Sequence, residues 1–389
     1  MPEHYSPVQM IEKLIGFDTT SAKSNLELID FAENYLQAYG LTTRRTASDD
    51  GKKANLFATL GPEREGGVVL SGHTDVVPVD GQPWDSDPFE VVEKDSRLYG
   101  RGTSDMKSFL AVAMALVPEF SGRSLSRPIH LALSYDEEVG CLGVGRLIED
   151  LRANLPLPAM VVIGEPTSMR LVNAHKGCQV QRTTVTGLDA HSSQSHRGAS
   201  AIMAAGRLVG FLADFAEEKK REQDDARFEP PHTTFNVGLI EGGTALNIIP
   251  KRCSFTWEYR ALPDDDPADI RARFDAYASD RVLPKLRQSA PEADIVTEQL
   301  ARVPPLKPEG DSPAEDLVRR LTGANECAAV AFGTEGGLFQ EAGMSTVVCG
   351  PGSIDQAHQP NEFIDLSQVE ECRGFLLRLA DWAAGEAAG

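Results

Sequence analysis

Cysteine is scarce in this sequence and never closely paired. Cys141, Cys178, Cys253, Cys327, Cys349 and Cys372 form no CxxC motif, which argues for reduced thiols in a core and against a disulfide frame or a zinc ribbon. No apolar run approaches the ~18–20 residues that a membrane span needs. The opening stretch "MPEHYSPVQMIEKLIGF" has neither a basic nor an apolar signal region, so it reads as an amphipathic helix. Positive charge is also in short supply: 38 Lys and Arg stand against 58 Asp and Glu, a formal charge of −20, with a pI near 4.8. That balance argues against nucleic acid and membrane surfaces as partners and fits a soluble cytoplasmic enzyme. Neither GxGxxG nor GxxxxGK follows the first strong strand signal, which removes nucleotide-dependent α/β chemistry, and no HExxH supports a single-zinc helix site. Internal repeats and low-complexity tracts are missing too.

What is present is a rhythm. At 389 residues the chain is long enough for two domains. In the first half, strand-like runs at 66–75, 127–138 and 158–168 alternate with helix-like runs at 108–120, capped by Ser104-Asp105, and at 141–155. Such alternation predicts an α/β domain with a mainly parallel sheet flanked by helices. The texture changes after residue 177. "CQVQRTTVTG" alternates polar and apolar residues as a half-exposed antiparallel strand does. Further strands are predicted at 233–243 and 251–262, with long helices at 198–225 and 264–283. This predicts an inserted α+β sandwich over 178–301, with 1–177 and 302–389 forming the α/β domain. "PPLKPEGDSP" reads as the linker back.

One stretch asks for an explanation. In "HLALSYDEEVGCLG" an apolar strand ends on Asp136, Glu137 and Glu138, and adjacent carboxylates at a partly desolvated strand end are unfavourable unless a cation offsets them. Other metal-type ligands recur at strand ends: His73, then Asp105, Glu138 and Glu165, spaced 32, 33 and 27 residues apart. That spacing approximates one βα unit each time, and residues beyond the carboxyl ends of parallel strands share one crevice. His358 follows a later strand. Carboxylate and imidazole without thiolate suit a catalytic dinuclear site over a closed structural zinc. Asp75, two residues from His73, is placed to accept the spare imidazole N–H and fix its tautomer. His4, His130, His196 and His232 read as ordinary surface or core side chains.

The stretches "SGHTDVVPVDGQPWDSDPF", "LYGRGTSDMKSFLAVAMA", "SYDEEVGCLGVGRLI", "IGEPTSMRLVNAHKG" and "GPGSIDQAHQPNEFI" together resemble the M20 family of metallopeptidases and aminoacylases, in order along essentially the whole chain. The resemblance implies two divalent metal ions, Zn²⁺ with Co²⁺ able to substitute. Asp105 would bridge them, with His73 and Glu165 on one ion, Glu138 and His358 on the other, and Glu137 as general acid/base. It also implies that the insertion is a lid and dimerisation domain, so that the chain is a homodimer. His191 would then donate to the developing oxyanion in the partner's site. Arg260 would bind a substrate α-carboxylate and Asn247 a polar group. Within the family the chain looks most like the acetylornithine deacetylase branch, which implies a small N-acyl amino acid substrate and a step in arginine biosynthesis. The alternative is another N-acyl-amino-acid hydrolase, such as a succinyl-diaminopimelate desuccinylase, an aminoacylase or a carboxypeptidase. In the Gly-rich "FGTEGG", Glu335 is the candidate neighbour for a substrate ammonium, and Gly352 is placed to let backbone approach the site.

Overall fold

The computed structural model describes residues 3–385. It divides into two compact units, one made of the chain up to Ala174, Leu306–Ala329 and Thr334 onward, the other of His175–Pro305 with Val330–Gly333.

The first unit is built on an eight-stranded sheet in the order Thr42–Ala47, Ala54–Leu60, Ile129–Ser134, Val68–His73, Met160–Pro166, Ser345–Gly350, Val172–His175, Ala328–Val330. The sheet is mixed, not mainly parallel: the four strands from Ile129–Ser134 to Ser345–Gly350 run parallel, while the strands flanking them pair antiparallel. Short connections explain the flank. Thr42–Ala47 and Ala54–Leu60 are joined by a six-residue turn containing Gly51 at φ 67°, and so short a link allows only an antiparallel pair. Thr42–Ala47, sequence TTRRTA, is largely exposed and carries almost no apolar signal.

Helix Pro7–Ile15 starts at Ser6, whose hydroxyl accepts from Gln9 N while Gln9 Oε1 accepts from Ser6 N, a reciprocal cap. Helix Lys107–Ala115 is buried along its whole length. The expected 108–120 helix is in fact two, because Pro118 sits in the first turn of a new helix, Val117–Ser121, where its missing N–H goes unnoticed. Ser104 and Asp105 do not cap it; Met106 holds the cap position without a side-chain bond.

The chain leaves Val68–His73 for Ile129–Ser134 on one side, then crosses back to Met160–Pro166 on the other. This reversal puts His73 at a topological switch point, where open α/β sheets form their crevices.

The second unit is a separate four-stranded antiparallel sheet in the order Thr234–Gly242, Arg252–Arg260, Cys178–Thr186, Asp294–Val303. Helices Ala201–Glu222 and Pro267–Tyr277 pack on it. Every second residue of Arg252–Arg260 is buried, and the Trp257 ring lies 4.6 Å from that of Phe274. The main stretch of this unit runs from His175 to Pro305, and Val330–Gly333 adds to it. Gly177 exchanges both backbone hydrogen bonds with Ala261, and Val303 pairs with Cys178. Among the described residues, no helix is long and apolar enough to cross a membrane.

Candidate metal centre

His73 closes the strand Val68–His73, Glu137 and Glu138 follow Ile129–Ser134, and Glu165 lies within Met160–Pro166. All three strands are parallel neighbours, so these side chains converge. Asp105 arrives differently from the strand-end expectation: it sits in the loop just before helix Lys107–Ala115. His358 comes from the loop after Ser345–Gly350, at φ 64°.

Asp105 lies between two imidazoles. Its Oδ1 is 3.1 Å from His73 Nε2, and its Oδ2 is 3.3 Å from His358 Nε2. Each imidazole faces a further acid: His73 Nε2 is 3.7 Å from Glu165 Oε1, and His358 Nε2 is 3.0 Å from Glu138 Oε2. Ligand atoms of His73, Glu137 and Glu165 lie within 4.8 Å of one another, as do those of His73, Asp105 and Glu138. With all four carboxyls of Asp105, Glu137, Glu138 and Glu165 ionised, two negative charges would stand uncompensated even if both imidazoles were protonated. Glu138 Oε1 is buried without a hydrogen-bond partner. A hard oxygen-rich set with two imidazoles, excess negative charge and an orphaned carboxylate oxygen fits divalent cations.

The electrostatics agree. Burial pushes the Glu137 carboxyl up to about 8; His73 opposes the rise, and negative charge on Glu138, Glu335 and Asp105 adds to it. Burial also lifts Glu165 well above the usual carboxylate range. Hydrogen bonds to Asp105 and Glu138 raise His358 to about 10. For Asp105, burial pulls upward, but hydrogen bonds from His358 and His73 win and hold it low. Opposed shifts in one crevice mark a functional site.

The three-acid question resolves into three roles. Asp136 pairs with Lys53, Glu138 faces His358, and Glu137 Oε1 accepts from Cys141 Sγ at 3.3 Å. Asp75 departs from expectation. The His73 Nδ1 partner is the Asp75 main-chain carbonyl at 2.9 Å, while its carboxylate stands 3.6 Å off. That carboxylate instead accepts from Ser21 Oγ at 2.7 Å and from the backbone N–H groups of Glu137 and Glu138 at 3.1 and 3.3 Å. It therefore anchors the acidic loop, and the carbonyl fixes the His73 tautomer with Nε2 facing the site.

Glu335, expected beside a substrate ammonium, is 1% exposed. Its Oε1 has no hydrogen-bond partner, and its Oε2 lies 3.5 Å from Ser71 Oγ. Burial pushes it up to about 7, so it is a buried group beneath the crevice. Gly352 has φ +87°, and a Cβ there would stand 2.5 Å from Ser104 Oγ; it admits the Ser104 loop. His191, Asn247 and Arg260 lie in the antiparallel unit. There Ser192 N donates to the Asn247 carbonyl at 2.9 Å, His191 Nδ1 accepts from Ser193 N at 3.2 Å, and Arg260 Nε is 3.6 Å from Glu258.

Sequence reasoning does not reach Cys141, Arg101, Gln82 or Glu362. Glu362 alone left a trace, as an acid directly before the apolar "FI" of a strand.

Packing beneath the site gives a direct prediction. Gly164 precedes Glu165, and a Cβ at Gly164 would stand 2.0 Å from the Phe109 ring. Gly164→Ala is expected to cost about 1–3 kcal/mol or more through overpacking and to lower activity by displacing Glu165. Urea unfolding checks the first effect and steady-state kinetics the second. Wild-type stability in the variant would mean that Phe109 moves aside freely.

Three comparisons with known proteins bear on this centre. The family model for "Peptidase family M20/M25/M40" matches residues 69–382. The chain is 36% identical over 376 residues to an acetylornithine deacetylase from Myxococcus xanthus, covering 95% of each. It is 33% identical to the one from Pasteurella multocida, covering 96% of each. Among solved structures, a Staphylococcus aureus tripeptidase superposes with a TM-score of 0.74 at 18% identity over 98% of both chains. An M20 metallo-carboxypeptidase from Sulfolobus solfataricus gives 0.74 at 17% identity over 98% of this chain and 99% of that one.

Proposed function

The chain belongs to peptidase family M20/M25/M40, and from that premise we propose that it hydrolyses the acetyl amide of N2-acetyl-L-ornithine to L-ornithine and acetate. The observation that carries the chemistry is the Asp105 carboxylate, with one oxygen turned to His73 and the other to His358. In this reading two divalent cations would be held by Asp105 in common, by His73 and Glu165 on one side, and by Glu138 and His358 on the other. Zn²⁺ suits this donor set, and Co²⁺ is able to replace it. When bound, such a pair polarises the amide carbonyl and lowers the pKa of a water held beside it.

Glu137 performs the proton work. Its carboxylate removes a proton from the attacking water, the water oxygen adds to the acetyl carbon, and the C–N bond breaks. Glu137 then returns the proton to the departing amine. Asp75 holds the backbone of Glu137 and Glu138 in place. In the antiparallel unit, His191 supplies the oxyanion donor, Arg260 the bidentate partner for a substrate carboxylate and Asn247 a polar contact. The homodimer is assigned to this unit. The reading is supported by its edge strand Thr234–Gly242, where Leu239 is 65% exposed and Ile240 54%, since apolar side chains on a free edge invite pairing. A cytoplasmic location and a place in arginine biosynthesis follow from the substrate.

Substrate choice rests on relatives named for that activity across nearly the whole chain. It is tested by measuring release of the free amino group with Zn²⁺ or Co²⁺ across acetyl-, formyl- and succinyl-amino acids and dipeptides. N-acetyl-L-ornithine is expected to have the highest kcat/KM. A higher value for succinyl-diaminopimelate or a dipeptide would move the chain to another branch with the same centre.

A further inference from the structure

We infer that Glu362 and Arg101, with Gln82 at the rim, form a clamp that fixes the loop carrying Asp105 against the loop carrying His358, and so sets how tightly those two residues hold their cation. Both charged residues are buried, Glu362 at 0% and Arg101 at 1% exposure. Glu362 Oε1 accepts three backbone N–H groups from one loop: Gly102 at 3.1 Å, Ser104 at 2.8 Å and Asp105 at 3.0 Å. Its Oε2 accepts from Arg101 Nη1 at 2.6 Å. Arg101 Nη2 donates to Gln82 Oε1 at 2.7 Å, and Gln82 Nε2 donates to the His358 carbonyl at 3.1 Å. Arg101 Nη1 also reaches the Gln359 carbonyl at 3.4 Å.

An unbroken chain of hydrogen bonds therefore runs from the Asp105 N–H to the His358 carbonyl. A rigid guanidinium fork transmits geometry where a lysine would not, and the Trp84 ring, 5.2 Å from the guanidinium carbon, backs it. His358 sits in the left-handed region, uncommon for a residue with a side chain, and the Gln82 amide holds the carbonyl at that position. A buried ion pair is poor evidence of stability by itself, and Arg101 Nε is left buried without a partner. Its bonds go to the two ligand-bearing loops, which is what positioning requires.

The inference rests on the proposed reading of Asp105 and His358 as metal ligands, so the test separates the two. Zn²⁺ titration against a competing chelator, the visible spectrum of the Co²⁺ form and circular dichroism on heating are measured for wild type, Gln82→Ala and Glu362→Gln. Wild type is expected to bind two Zn²⁺. The variants are expected to fold, to bind one Zn²⁺, the one assigned to Asp105 and His358, about 10–100-fold less tightly, to show an altered Co²⁺ spectrum and to lose kcat more than KM. Folded variants with unchanged Zn²⁺ affinities and Co²⁺ spectrum would overturn the clamp alone. A wild-type chain binding fewer than two Zn²⁺ would overturn the dinuclear reading beneath it. Gln82→Ala leaves Arg101 and Glu362 paired, so it decides by itself if Glu362→Gln does not fold.

Discussion

Glu137→Gln is expected to keep its bound metal and to lower kcat by about 10²–10⁴-fold, with KM far less affected. The reasoning turns on the difference between two adjacent acids. Glu138 Oε2 stands 3.0 Å from His358 Nε2, and under the proposed assignment its loss removes a ligand. Glu137 makes a side-chain hydrogen bond with the Cys141 thiol at 3.3 Å, and its carboxylate lies within 4.8 Å of ligand atoms of His73 and Glu165. A base must be within reach of the water without being consumed by the cations. The amide of Gln preserves shape and can still accept from Cys141, but it has no basic lone pair for a proton at neutral pH. Glu138→Gln makes the control, because it is expected to lose metal along with activity. Metal content by atomic emission and steady-state kinetics on N-acetyl-L-ornithine distinguish the two. Activity within tenfold of wild type in Glu137→Gln would end the base assignment.

How much of this centre was legible depended on whether a residue's partner was marked by a strand. His73, Glu138 and Glu165 stood out because metal-type ligands recur after apolar runs at the spacing of βα units, and parallel strands carry such ends to one crevice. The separate antiparallel sheet was legible in the alternation of Cys178–Thr186 and Arg252–Arg260. The antiparallel flank of the main sheet was not. Thr42–Ala47 is exposed on both faces, and its pairing is set by a turn instead of by hydrophobic pattern. Asp105 was singled out for an incomplete reason, since no strand aims it. Its backbone is held by Glu362, 257 residues away, and local patterning cannot reveal so distant a partner. Asp75 shows the limit of residue type as a guide. Both its carbonyl and its carboxylate lie near His73, and only coordinates reveal that the carbonyl makes the bond.

The second large effect is expected from Asp105→Asn, which should weaken metal binding more than any clamp variant and lower kcat/KM by about 10³-fold or more, the scale of losing several kcal/mol of charge stabilisation. Asn keeps the size and one oxygen, but its nitrogen cannot serve as a ligand, so the symmetry of the residue is broken. Oδ1 faces His73 and Oδ2 faces His358, and an amide can satisfy one of these sides only. The fold should survive, because Asp105 sits in a cluster of four carboxylates and removing one negative charge relieves repulsion while costing hydrogen bonds to the imidazoles. A folded but metal-poor protein is thus the expected outcome, and thermal unfolding reads it directly. Metal that binds only the native state stabilises it by mass action, and a site weakened a hundredfold forfeits about 2.7 kcal/mol of that stabilisation at saturating metal. The rise in Tm on adding Zn²⁺ should therefore shrink sharply in Asp105→Asn, while the Tm in chelator stays close to wild type. A full Zn²⁺-induced rise in the variant would show that the two imidazoles and the remaining acids hold cations without a shared carboxylate, and the bridging role would have to be given to another group.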